Sequence, residues 1–187
     1  MTKHDRNRTE YAILGLLALG PRSGYDIKKE AEEVLGHFWH ESYGHIYPTL
    51  GRLHGDGLVE KRVEVQEGRP NRNVYSITTD GEAELNEWLT EPVERRPPRN
   101  ELLLKVFFGR FSGPEAVRSI LEDYRDQQAE ALARLETAVE MLDAGERGNP
   151  SYAYWRMTAE LGLRAMAVVV QWCEDTARLL EEMEEEE

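Results

Sequence analysis

The sequence predicts a mainly α-helical chain with a small β wing. An N-terminal winged helix-turn-helix should be followed by a helical dimerisation domain with two long antiparallel helices. Three observations predict this. Three helix-like stretches lead into two strand-like runs joined by a turn, which is the order of a winged helix. A proline-rich stretch at residues 92–98, PVERRPP, then interrupts the chain. Two long stretches of helical apolar periodicity close it, separated only at residues 145–150. The expected division is a winged domain at 1–91, a linker at 92–98 and a helical domain at 99–187.

Residues 9–19, TEYAILGLLAL, read as a buried helix capped by Thr9 and broken by Gly20-Pro21. Ser23 opens a second helix that Gly36 stops, and HFWHE links it to a third stretch, SYGHIYPTLGRLHGDG, at residues 42–57. There Ser42 is an N-cap candidate and Gly57 a C-terminal stop. LVEKRVEV and VYSIT alternate as strands around the turn EGRPNRN. A helix from Thr79-Asp80-Gly81 through Leu89 completes the domain.

The third stretch is unusual for a solvated helix. Ile46, Leu50 and Leu53 form one narrow apolar stripe. At about 100° per residue, the opposite face carries Gly44, Pro48, Gly51 and Gly55, with His45 and Arg52 on one flank and Tyr47 on the other. A face almost free of side chains suits a backbone that something approaches closely, and a DNA groove is the expected partner. Pro48 fits only near the first turns of such a helix.

The candidate DNA contacts on this helix are Ser42, Tyr43, Gly44, His45, Tyr47, Pro48, Thr49 and Arg52. Those on the tip of the hairpin are Arg69, Asn71 and Arg72. Arg52 contacts a base or phosphate, or is a solvated helix charge. Tyr47 contacts DNA or packs at the edge of the stripe. Arg69 and Arg72 are phosphate contacts or ordinary turn charges.

In the C-terminal half, ELLLKVFFGRF is a short apolar helix ended by Ser112-Gly113-Pro114. Val117, Leu121, Tyr124, Gln128, Ala131, Leu135, Ala138 and Leu142 follow in alternating steps of four and three, a heptad seam. The last helix, residues 151–183, carries two adjacent apolar rows, one starting at Tyr154 and one at Trp155. One neighbour cannot cover so wide a face, which predicts a partner subunit. The expected dimer contacts are Leu121, Leu135, Tyr154, Leu161, Met166, Val169 and Trp172. An aromatic effector pocket is expected near the joint of the domains, from Trp88, Phe107, Phe108, Tyr152 and Trp155.

Charge and chemistry narrow the function. The net charge of the 187-residue chain is −13, which opposes non-specific DNA affinity. The excess acid is concentrated in the C-terminal half and ends in Glu184–Glu187. One cysteine, Cys173, excludes an internal disulfide and fits a reducing compartment. No basic-then-apolar leader opens the chain, so a cytoplasmic protein without a membrane partner is expected. Four histidines, His37, His40, His45 and His54, cluster without a second ligand set, so no metal is expected. No phosphate loop, nucleophile elbow or spaced carboxylate pair appears; the chain is not expected to be an enzyme or to hold a cofactor.

The residues SYGHIYPTLGRLHGDGLVEKR, EGRPNRNVYSITTDGEAEL and ILGLLALGPRSGYDIKK resemble the PadR family of bacterial transcriptional regulators over about residues 9–90. The helical tail is similar to the longer C-terminal domain of one PadR subgroup. The resemblance covers Ser42, Gly44, Ile46, Tyr47, Pro48, Leu50, Arg52 and Leu53 in the helix. In the wing it covers Gly68, Arg69, Pro70, Arg72 and Tyr75, then Thr78 and Gly81. It implies a homodimer on a palindromic double-stranded operator. It also implies repression relieved by a small phenolic or hydrophobic drug-like effector. The alternative is a dimeric protein-interaction module that uses an acidic winged domain without operator binding.

Overall fold

The computed structural model describes residues 7–39, 43–65, 71–94 and 99–185. The chain divides into two compact units, Met1–Arg95 and Arg96–Glu187.

The first unit is a winged helix. Helix α1 spans Arg8–Ala18, and its N-cap is Asn7, whose side chain accepts from the Thr9 amide. The expected cap, Thr9, is instead the second residue of the helix, 2% exposed and turned into the core. A two-residue strand β1, Arg22–Ser23, precedes α2, Gly24–Glu30. Ser23 and Asp26 form a reciprocal capping box at the start of α2, and the helix widens into a π turn over Ala31–Leu35.

Helix α3 runs Ile46–Gly55 after a single 3-10 turn at Tyr43–His45, so it is shorter than the sequence pattern implied. Ser42, its expected cap, lies outside the described residues. Pro48 becomes the third helical residue, where the backbone N–H has no intrahelical partner to lose. Gly57 ends α3 with φ +76°. Its amide donates to the carbonyl of His54, and that of Leu58 to Leu53, the paired closure that a left-handed residue allows.

Strands β2, Val59–Glu64, and β3, Arg72–Ile77, form the wing, and α4 spans Thr79–Leu89. The sheet is antiparallel with order β1-β3-β2, placing Arg22 and Lys61 on either side of Tyr75. Only the two wing strands were expected from the sequence. A two-residue strand shows no alternation to detect. Thr78 caps α4 through the Gly81 amide and donates its own hydroxyl to the Gly57 carbonyl. A Cβ on Gly81 would stand 2.1 Å from the Leu58 carbonyl oxygen, so only glycine permits this approach. One core joins Leu14 and Leu17 of α1, Ile27 of α2, the α3 stripe and Tyr75. Ile46, Leu50 and Leu53 are 3%, 0% and 0% exposed, so the stripe anchors α3.

The second unit is a helical hairpin. Helix α5, Glu101–Phe107, is capped by Asn100 and followed by a 3-10 turn at Gly109–Phe111. Helix α6, Pro114–Gly145, begins with proline where the ring is tolerated, and α7 spans Tyr152–Glu185. Leu102, Val117 and Leu121 pack with Cys173 at one end; Leu135 and Val139 pack with Ala159 at the other. The two long helices therefore run antiparallel. Leu121 and Leu135, expected at a dimer interface, are spent inside this hairpin. The heptad seam of α6 faces α7 of its own chain, because a short turn makes α7 its nearest apolar neighbour. Met166, Val169 and Trp172 also pack partly on the hairpin clusters, whereas Tyr154 and Leu161 are 69% and 72% exposed.

Candidate nucleic-acid interface

The outer face of α3 is built by subtraction. Among the described residues, a Cβ placed on Gly51 or Gly55 of α3, or on Gly44 in the 3-10 turn that leads into it, would meet nothing within 4 Å. None of the three has a positive φ, so neither conformation nor packing calls for glycine. Each glycine inside a helix costs about 0.5–1 kcal/mol relative to alanine. Pro48 is exposed between them. The result is an open helical surface with almost no side chains, backed by a fully buried stripe.

Both flanks of that face are tied to neighbouring helices. On one, the Arg52 Nε donates to Glu10 of α1 at 3.1 Å and Nη2 donates to the Thr49 hydroxyl at 3.0 Å. The Glu10 side chain is 7% exposed and that of Arg52 is 52% exposed, so the pair runs from core to surface. Thr49 is fully buried and supports Arg52 from inside; it does not belong to the outer face. On the other flank, the exposed ring of Tyr47 covers Gly24 at the start of α2. Burial, and then the neighbouring Tyr47, push the Tyr75 phenol above its ordinary value. Gly44 and His45 are exposed where the chain enters α3, and Tyr43 stands in the turn before them.

The wing carries a second charged group. Arg72 on β3 binds Glu64 across the hairpin through Nε and approaches Asp26 of α2 at 3.7 Å. The Glu64 hydrogen bond raises the guanidinium above its usual value. Asp26 is held below the usual carboxylate range, first by the Ser23 hydroxyl, with Arg72 and Arg22 adding to it. Arg72 is thus already paired within the chain. Asn71 is exposed beside it, and Arg69 lies outside the described residues. Lys61 and Arg62 stand exposed on β2. Neither was among the expected DNA contacts, although an adjacent Lys-Arg in a strand was the available signal.

The expected effector residues divide between the two units, and those of the helical unit do not converge. Trp88 stacks on Tyr11, with ring centroids 4.5 Å apart, inside the winged unit. Phe107 and Phe108 meet edge to face at the α5 end of the hairpin. Tyr152 donates its phenol to Asp143 at the opposite end, where the half-buried Trp155 also lies. The antiparallel hairpin keeps these two groups apart by nearly its full length, roughly 40 Å at 1.5 Å per residue. Of the clustered histidines, His40 lies outside the described residues, His54 Nδ1 lies 3.1 Å from the Val59 carbonyl oxygen and His37 packs against Phe38. Among the described residues no group of three His, Cys, Asp or Glu is placed to hold a metal ion. Among the described residues, likewise, no helix is long and apolar enough to cross a membrane.

Comparison with known proteins agrees with this architecture. Residues 13–87 match the transcriptional regulator PadR-like family, and residues 98–181 match the family described as virulence activator alpha C-term. The negative transcriptional regulator PadR of Bacillus subtilis is 28% identical over 178 residues, covering 92% of this chain and 97% of that protein. Its structure in complex with operator DNA superposes with a TM-score of 0.81 at 27% identity, covering 93% and 99% of the two chains. Its complex with p-coumaric acid gives 0.75 at 26% identity over 94% and 99%. The smu.1604c protein of Streptococcus mutans gives 0.79 at 30% identity over 89% and 96%. With both units matched and a winged helix joined to a helical C-terminal unit, the chain belongs to the PadR-like family of transcriptional regulators.

Proposed function

We propose that this chain is a cytoplasmic, homodimeric repressor that binds a palindromic operator, with α3 in the major groove and the wing along the backbone. The observation that carries the reading is the outer face of α3. Gly44, at the entry to the helix, Gly51 and Gly55 meet nothing among the described residues that calls for glycine. A groove wall in van der Waals contact with the helix backbone would call for it. The flanking Arg52 and Tyr47, with His45 at the helix entry, supply polar groups beside that surface. Asn71, Arg72, Lys61 and Arg62 would follow the phosphates, joined by Arg69 from the sequence between β2 and β3. The B. subtilis relative solved with operator DNA supports the same use of the fold.

Dimerisation rests on α7. Tyr154, Met157, Leu161 and Val168 are all more than 60% exposed and recur at helical spacing along one side. A second copy would cover them, and two α3 helices docked in successive major grooves require half-sites one helical turn apart, about 34 Å. An effector is the further element of the reading. The p-coumaric acid complex of the B. subtilis relative supports a phenolic ligand, with hydrophobic drug-like molecules as the alternative. Since Phe107 and Phe108 lie far from Tyr152 and Trp155 in one chain, a pocket using both groups needs the second copy.

The acidic charge favours one rival, a dimeric module that uses the wing to bind protein. Footprinting on the DNA upstream of the chain's own gene, repeated over a salt series, separates the two. A protected inverted repeat whose affinity falls steeply with salt is expected. A salt-insensitive, unprotected duplex would favour the protein partner.

A further inference from the structure

Arg52 emerges from the core on two acceptors that belong to different parts of the fold. Glu10 comes from α1 and Thr49 from the buried side of α3, and both side chains are at least 90% buried. These bonds use the Nε hydrogen and one Nη2 hydrogen. Three of the five guanidinium donors, two on Nη1 and one on Nη2, remain for a partner. The free edge is therefore the Nη1–Nη2 end of the fork, a pair of parallel donors on a plane that the fold has already fixed. Holding the plane in advance reduces the rotamer freedom lost on binding.

Two parallel donors match two parallel acceptors. In the major groove, guanine offers that pair through O6 and N7, whereas adenine offers one acceptor and one donor. A phosphate would also accept from this edge, but a flexible side chain would serve it as well, and the buried carboxylate would weaken the attraction. Resting on the DNA-binding reading above, we propose that Glu10 is a positioning residue for sequence recognition: with Thr49, it holds Arg52 to read one guanine in each operator half-site end-on. Glu10 touches no DNA in this scheme. Its charge also disfavours indiscriminate phosphate binding, which raises selectivity from the other side.

The test uses the full-length chain and a duplex selected from a random library by that chain. Each position of the duplex is then substituted in turn, and binding is measured by fluorescence polarisation. For the unsubstituted protein, one guanine per half-site should lose about tenfold or more in affinity when replaced by adenine. Arg52→Lys, at an exposed position, should flatten that preference and leave the other positions unchanged. Glu10→Gln should weaken discrimination at the same guanine several-fold while binding to random DNA rises, because one negative charge has gone. A guanine preference untouched by Arg52→Lys overturns the proposal. So does a Glu10→Gln protein that loses affinity evenly at every position, the signature of plain structural support. A wild-type chain that enriches no duplex overturns the DNA-binding reading itself, a different result from either.

Discussion

The ring of Tyr47 lies over the backbone of Gly24, so close that a Cβ on Gly24 would stand 2.6 Å from the ring carbon Cε1. This contact fixes the second flank of α3 on the start of α2, as Glu10 fixes the first flank on α1. Because Tyr47 is 60% exposed, its ring can swing away at little cost to the fold. Gly24→Ala should therefore leave the melting temperature almost unchanged and weaken DNA binding. A double-mutant cycle with Tyr47→Ala, read by DNA affinity, should show the two effects to be non-additive. Additive losses would mean that Gly24 acts elsewhere.

Gly51→Ala should do two opposite things. It should stabilise the protein by about 0.5–1 kcal/mol, since the helix gains a better former and the new methyl meets nothing. It should also weaken binding to the cognate duplex, where that methyl would stand against the groove wall. Thermal denaturation and operator titration of the same sample check both halves. A stabilised variant with unchanged affinity would remove Gly51 from the interface.

The capping box gives a pH dependence with a definite sign. Asp26 has a folded pKa below its ordinary 3.8, chiefly because the Ser23 hydroxyl donates to it. Its contribution to stability is therefore complete above the ordinary value and is lost as pH falls through the lower folded one. Asp26→Asn should be less stable than the parent at neutral pH, with the gap closing as both are acidified. Urea denaturation at stepped pH measures that gap, and a constant difference would contradict the assignment.

For the dimer, sedimentation should give twice the chain mass of 21.5 kDa. Leu161→Glu should yield folded monomers, because Leu161 is 72% exposed in one chain. Leu121→Ala should instead destabilise the hairpin by about 2–5 kcal/mol, as expected for a fully buried leucine. Circular dichroism with sedimentation distinguishes the two failures.

Periodicity made the helices legible. The stripe Ile46, Leu50, Leu53 identified both the helix and its buried side, and the glycine face followed from geometry alone. What escaped was set by tertiary partners. Nothing local marks Arg22–Ser23 as a strand; it is one because Tyr75 and Val74 of β3 pair with it. The pairing of Arg52 with Glu10 joins residues 42 positions apart, and no spacing rule reports that. The heptad seam of α6 was visible, but its partner was not: a seam looks the same whether it packs on the next helix of its own chain or on a second copy. The scattered aromatics show the same limit, since nearness to a domain joint in sequence did not bring Phe107 and Trp155 together.

The central claim is that the glycine-faced α3 reads double-stranded DNA, and selection of the full-length chain against a random duplex library tests it most directly. The account predicts enrichment of one palindromic sequence, with half-site centres about 34 Å apart and binding that weakens steeply with salt. Enrichment of no sequence, with binding to every duplex equally weak, would contradict it.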